Sequence, residues 1–464
     1  MLDKDKAGDI FQRIKKHSTA DETEVLFYGG KSALTRFANN TIHQNVAEEN
    51  YVVSVRTAFG GRTARATTNK FDDESLKRAV QSSESLAKVQ HPDPDLLPMP
   101  SAALARNNEA TASTVPSRYF EQTAAVTPEL RAEVVKKIVA IAERHKLTTA
   151  GIFSTSESVE GIFNSRGLAT WHTQTASDVS ITMLAADSSG WQKANSPNVA
   201  NIDPTALAES AARKALESVS PEEIPAGKYT AVLEPAAVLD MVGFMFFDFG
   251  GLAILDQRSF LTNRIGAKLF GENINIWDDV AHPLQSGSPF DGEGMRRQRV
   301  QLVKDGVVKG LVYARATAKK MKASEYAAKA GVIDPTGHGF PLPNEMGEAP
   351  MNIVFGHAKE PKTVDQMVAS TEHGILVTRL WYIREVDPYE KILTGMTRDG
   401  TFHVKEGKIT GGVRNFRFNE SLIHMLSNVE EMGTPVRASG EESFDMVAPA
   451  MKVREFNFTE VTKF

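Results

Sequence analysis

Cysteine is missing from all 464 residues, which excludes disulfides, thiolate metal ligands and a cysteine nucleophile within this chain. A surplus of positive charge is missing too. The formal net charge is -5 with both signs dispersed, so a general grip on phosphate backbones is not expected and no nucleic acid is read as a partner. Nor is there an uninterrupted apolar run of membrane length. Residues 232–255, VLEPAAVLDMVGFMFFDFGGLAIL, come closest, but Asp240 and Asp248 break the run, at roughly 2.5–3.5 kcal/mol for each aspartate placed mid-bilayer. No membrane is expected as a partner. The stretch is read instead as a buried helix running into a turn at Gly250 and Gly251. It holds no histidine and no cysteine and its carboxylates are scattered, so nothing in it can hold a zinc ion. The N-terminal MLDKDKAGDIFQRIKKH lacks the apolar segment of a signal peptide, and with the missing cysteines this makes the cytoplasm the expected location.

What is present describes a soluble globular chain: 41% hydrophobic and 24% charged residues are ordinary for that class, and the length suggests about three domain-sized units. The first half reads as one supersecondary unit written twice. Residues 7–16 put Ile10, Phe11 and Ile14 on one helical face, and residues 24–28 read as a strand. Extended segments follow at 33–37, 41–46, 51–57 and 62–67, with Asn39-Asn40 and Gly60-Gly61 as turns. A helix capped by Asp72 or Asp73, with Leu76, Ala79, Val80, Ser83 and Leu86 at helical spacing, closes the unit. After a linker over 90–116, residues 128–145 repeat the helix and 150–154 the strand. Phe37-Ala38-Asn39 then matches Phe163-Asn164-Ser165, and Val53-Ser54-Val55 matches Val179-Ser180-Ile181, at the same separation along the chain. The second closing helix, capped by Asp203 with Pro204 at its first position, sets Leu207 against Leu76 at a slightly longer separation.

The segment SVSPEEIPAG at 218–227 punctuates a polar run with two prolines and a glycine and reads as a domain boundary. Beyond it strands dominate. Hairpins are predicted over 300–313, turning at Asp305-Gly306, and over 402–409, turning at Glu406-Gly407. Residues 351–355 and 374–381 are apolar enough for central strands, while 259–269 and 421–429 are predicted as helices. The expected fold class is α+β. An N-terminal helix-and-sheet domain over 1–225, with pseudo-repeats at about 1–89 and 117–218, precedes a β-rich, barrel-like or sandwich domain over 226–464.

Six segments in order carry a resemblance: RFANNTIHQ at 36–44, SPFDGEG at 288–294, QLVKDGVVKGLVYARATAKKM at 301–321, APMNIVFG at 349–356, GILVTRLW at 374–381 and KEGKI at 405–409. Together they resemble the TldD/PmbA family, also known as modulators of DNA gyrase. The resemblance spans nearly the whole chain and implies a cytosolic peptidase built of two related subunits, one carrying an HExxxH zinc site and the other lacking it. In the metal-bearing branch that helix follows a VLGP-like turn. Aligned on Val232-Leu233-Glu234-Pro235, Gly243, Phe244 and Asp248 stand where His, Glu and His would be, and Thr397 takes the place of a cysteine ligand. None of these replaces what is lost, since zinc needs imidazole or thiolate and its water needs a carboxylate base beside it. The chain therefore resembles the PmbA (TldE) branch. No cofactor is expected in it, and zinc is expected only in an HExxxH-bearing partner.

The remaining chemical candidates are Asp278, Asp279 and His282 in WDDVAHP and Asp291 and Glu293 in FDGEG. These could converge as hard oxygen ligands, but solvated turn acids are the ordinary reading of Gly/Pro-rich loops. His338 and His373 lack a carboxylate nearby in sequence that would orient a base, and read as loop or surface histidines. Asp291, Glu293, Gly337 and His338 are carried as candidates for a peptide groove, because 331–347 reads as an exposed loop. Lys319, Lys320 and Lys322 read as a solvated helical face. The leading expectation is a metal-free, non-catalytic subunit of a heteromeric metallopeptidase acting on unfolded or precursor peptides. Its partner would be a TldD-like zinc-bearing subunit in a heterodimer or larger assembly, with a homodimer as the alternative. Two other classes are a stand-alone peptide hydrolase using the acidic loops or His338, and a non-enzymatic interaction protein.

Overall fold

The computed structural model describes residues 2–106 and 114–462, so part of the linker read at 90–116 lies outside the described residues. Helix α1 (Lys4–His17) starts at Asp3, whose carboxylate accepts the Lys6 N–H, and buries Ala7, Ile10, Phe11 and Ile14. It leads into strands β1 (Glu22–Ala38), β2 (Thr41–Phe59) and β3 (Arg62–Thr68) and then α2 (Asp73–Val89), capped by Asp72. Two short helices, α3 (Ala102–Arg106) and α4 (Glu121–Ala124), precede the same series again: α5 (Pro128–Arg144), β4 (Thr148–Asn164), β5 (Ala169–Leu184), β6 (Ser189–Ser196) and α6 (Pro204–Glu217).

These strands form one sheet in the order β3-β2-β1-β4-β5-β6, so the two units mirror each other about the antiparallel β1–β4 pair. Val53 lies opposite Phe27 and Val179 opposite Phe153, which puts the matched segments on equivalent strands. Each unit buries its own apolar cluster: Ile10, Val25, Val55 and Leu76 in one, Phe153, Val179, Ile138 and Ala211 in the other. The extended segments predicted separately at 24–28 and 33–37 are one strand. Gly29 and Gly30 do not end it; a Cβ on Gly30 would stand 1.8 Å from the Glu157 carbonyl oxygen, so glycine here permits close approach of β4.

The second half runs through β7 (Gly227–Leu233), α7 (Pro235–Val242), a 3-10 segment (Gly243–Phe249), α8 (Gly251–Leu255), β8 (Ile276–Asp278), β9 (Val300–Lys304) and β10 (Val307–Val308). Next come α9 (Arg315–Lys322), β11 (Ile353–Phe355), α10 (Val364–Ala369), β12 (His373–Asp387), β13 (Ile392–Lys405), β14 (Lys408–Gly412) and β15 (Phe416–Ser421). The last elements are α11 (Leu422–Ser427), β16 (Val429–Met432), β17 (Val436–Ala438), β18 (Met446–Ala448) and β19 (Met451–Val461). Strands β12, β7, β19, β15 and β13 pair in sequence, and β13 pairs back to β12, which closes a barrel. A second sheet, β10-β9-β8-β11-β18-β17, lies beside it, and α7 packs on β12, β17 and β18 between the two. Both predicted hairpin turns form, with positive φ at Asp305-Gly306 and at Glu406-Gly407.

The helix predicted over 259–269 does not form. Its residues make consecutive turns, with left-handed backbone at Asn263 and Gly266, and the Gly266 N–H bonds the Val308 carbonyl while Lys268 bridges Val307. Pairing to β10 overrides the apolar periodicity that suggested a helix. Among the described residues no helix is long and apolar enough to cross a membrane.

Candidate functional site

The apolar stretch folds as a helix broken at Gly243. A Cβ added there would meet Ser443 Oγ at 1.8 Å and its Cβ at 2.4 Å, so the loop 439–445 occupies the space a side chain would need. That loop is held down by Asp240, whose Oδ1 accepts the Glu441 and Glu442 N–H groups at 3.1 and 3.0 Å, and by Phe444 standing edge-on to Phe246. Burial pushes the Asp240 carboxyl up to about 7. Phe244 packs half-buried against the barrel core. Asp248 is buried and paired: Oδ2 lies 2.6 Å from Lys391 Nζ and Oδ1 accepts the Phe260 N–H, while Lys391 also meets Glu385 at 2.6 Å. Burial raises the Asp248 carboxyl against the pull of that lysine. Thr397 is buried in β13, its hydroxyl accepting the Phe416 N–H at 3.0 Å and facing Asn415 Oδ1 at 3.3 Å.

A zinc ion does not fit this set. Glycine and phenylalanine bring no donor, the aspartate is already neutralised by lysine, and the threonine hydroxyl is spent on its own strand connection. Among the described residues no three histidine or acidic side chains converge as a metal site.

The second charged region lies at the seam between the N-terminal sheet and the loops of the second half. Asp278, at the end of β8, accepts the Met351 and Asn352 N–H groups at 2.7 and 2.8 Å. Its Oδ1 stands 2.9 Å from His338 Nε2, a close contact without hydrogen-bond alignment. His338 Nδ1 in turn meets Thr336 Oγ1 at 3.0 Å, and that hydroxyl accepts the Tyr313 N–H at 2.7 Å. Burial is the strongest single influence and works to raise Asp278, but His338, Arg297 and the Asn352 N–H together outweigh it and hold the carboxyl below its ordinary value. Asp291 accepts the N–H groups of Glu293, Met295 and Gly339. Glu293 accepts the Arg315 N–H at 3.0 Å and faces its guanidinium at 3.4 Å, and Glu348 accepts the Leu252 and Ala314 N–H groups. From the sheet side, Glu24 on β1 pairs with Arg65 at 2.8 Å, and Arg65 donates to the Leu342 carbonyl, tying sheet to loop. Burial raises Asp291, with the Glu293 charge adding to it, raises Glu293, and pushes Glu348 up to about 7.

The reading of these acids as solvated turn residues is corrected here. Asp278, Asp291 and Glu293 are 0%, 3% and 5% exposed, and His338 is 1% exposed with a carboxylate partner supplied from far earlier in the chain. Gly337 is buried with φ 73, where an added Cβ would meet the Arg296 carbonyl at 2.2 Å. Of the four groove candidates, Asp291 lines a cavity at the seam, together with Arg65 and Arg297. The rest of WDDVAHP goes elsewhere. Asp279 pairs with Arg299 at 3.2 Å, and His282 Nδ1 accepts the Leu284 N–H. His373 is exposed and stacks on Tyr229, and the three lysines of α9 face solvent. Sequence reading missed Glu24, Arg65, Arg297 and Glu348. The available signal was a charge such as Glu24 set directly beside the apolar strand run VLF.

The doubled sheet followed by a closed barrel corresponds to three domains of one metallopeptidase family. The model of the PmbA/TldA metallopeptidase C-terminal domain matches residues 226–460, with domain 1 of the same family at 23–87 and its central domain at 121–219. The chain belongs to the PmbA/TldD metallopeptidase family. It is 21% identical over 406 residues to metalloprotease PmbA of Escherichia coli O157:H7, which covers 84% of this chain and 83% of that protein. Among solved structures, TldE from Thermococcus kodakarensis superposes with a TM-score of 0.82 at 17% identity, over 97% of this chain and 99% of that one. A protein of Thermotoga maritima described as a candidate modulator of a DNA gyrase gives 0.84 at 17% identity, over 98% and 100%. At these identities the structures establish the fold.

Proposed function

We propose that this chain is the metal-free, non-catalytic subunit of a heteromeric peptidase, acting with an HExxxH-bearing relative on unfolded or precursor peptides in the cytoplasm. The observation that carries this reading is Gly243: the position aligned with the first metal ligand has no donor, and Ser443 leaves no room for one. None of the eleven histidines is followed by glutamate, so an HExxxH sequence occurs nowhere in the chain. The metal and its activated water then belong to the partner. This chain supplies a wall and backbone pairing. Strand β3 covers β2 only from Val53 to Phe59, and, among the described residues, 41–52 present an open edge whose N–H and C=O groups suit an extended peptide.

The test has two arms. Elemental analysis of the purified chain should find no stoichiometric zinc, and casein should survive incubation with it; one tight zinc per chain with chelator-sensitive cleavage overturns the reading. Mixing with an HExxxH-bearing relative should raise the rate or change the peptide preference. A relative fully active alone and indifferent to this chain sinks the subunit role.

A further inference from the structure

The seam holds a cavity of about 490 Å³, within the ordinary range for a small-ligand site. Leu26, Ile162, Phe290 and Phe340 give it apolar walls, and it opens to solvent past Tyr28, Thr67 and Glu160. Two arginines line it, and they differ. Arg65 is fully engaged, donating to the Leu342 and Ser54 carbonyls and to Glu24. Arg297 has no side-chain hydrogen bond or ion pair among the described residues, although its Nε and Nη1 are buried. The carboxylates of Asp278, Asp291 and Glu160 act on it through space, yet none comes within ion-pair distance.

A buried guanidinium N–H without an acceptor is costly, so an acceptor arriving from the cavity gains what the protein leaves unmade. The planar fork of an arginine matches a carboxylate in particular. Glu160 stands exposed at the mouth of the same cavity and offers an acceptor to a backbone N–H. We propose that this cavity binds the C-terminal carboxylate of an extended peptide with an apolar last side chain, Arg297 receiving the carboxylate. The proposal rests on the peptide-presenting reading above and adds which end of the peptide is held.

Fluorescence anisotropy on the full chain, with a labelled unstructured peptide ending in leucine, decides it. The free acid should bind about tenfold more tightly than the same peptide with a C-terminal amide, and Arg297→Gln should abolish the difference. The acid–amide comparison on the unmutated chain stands even where the variant folds poorly. Equal affinity for acid and amide, a preference that survives in folded Arg297→Gln, or no binding of either peptide overturns the subsite. In the first of these outcomes the chain still holds peptides and the presenting reading survives; the zinc and reconstitution measurements judge the subunit role separately.

Discussion

The helix region around Asp240 and Asp248 and the seam around Asp278 and His338 both bury carboxylates, but the acids are separate in one and crowded together in the other. In the first, the acids sit inside a continuous apolar stretch and each is held separately: Asp248 by Lys391 and the Phe260 N–H, Asp240 by the N–H groups of Glu441 and Glu442. In the second, acids from strand ends and loops crowd into one buried seam, with Arg315 for Glu293, His338 for Asp278, and the N–H groups of Leu252 and Ala314 for Glu348. The absence of histidine and cysteine from 232–255 is thus readable from that segment alone, while the pairing of the buried acids depends on the fold in both regions.

The largest effect expected from breaking this contrast is at Asp278. Asp278→Ala leaves His338 buried without its partner and orphans the Met351 and Asn352 N–H groups, so denaturant unfolding should show a loss of about 3–5 kcal/mol. Asp248→Ala should cost less, about 1–3 kcal/mol, because Lys391 retains Glu385. Equal losses at the two positions would erase the distinction between separately held acids and the crowded seam.

A smaller effect sharpens the view of the helix region as closed. Gly243→Ala should destabilise by about 1–3 kcal/mol through collision with Ser443, and Ser443→Gly should recover most of that loss in the double variant. Full tolerance of alanine in thermal melts would mean that the loop yields freely, and the argument from filled space would fail.

The smallest effect is a pH slope shared by both regions. Asp240 and Glu348, each raised to about 7 by burial, keep their protons in the fold at pH values where the unfolded chain has released them. Between their ordinary values of 3.8 and 4.5 and about 7, the folded state binds more protons, so stability falls as pH rises. Asp278, held low by His338, Arg297 and the Asn352 N–H against burial, contributes in the other direction and loses stability as pH falls below 3.8. Asp240→Asn and Glu348→Gln should each flatten the fall in melting temperature between pH 5 and 7; a slope unchanged by either places the titration elsewhere.

Much of the fold was legible because it rests on local patterns. Turn residues with left-handed backbone marked the hairpins at Asn39-Asn40 and Glu406-Gly407, and helix caps at Asp72 and Asp203 marked where helices begin. The misreadings came where partners are remote. Residues 259–269 carried apolar spacing but pair with β10, and 24–28 and 33–37 read as separate strands because β4, which pairs along both and approaches closely at Gly30, comes from far later in the chain.

The sequence by itself determined that this chain has no thiolate, no histidine within 232–255 and a repeated spacing in its first half, because residue types and repeated spacing are properties of the chain alone. Only the tertiary structure decided that His338 has a carboxylate partner, that Ser443 fills the space at Gly243, and that Arg297 faces a cavity with its N–H groups unmet. Burial and pairing are relations between segments far apart in sequence, and the low dielectric that sets their energy exists only once those segments have closed around them.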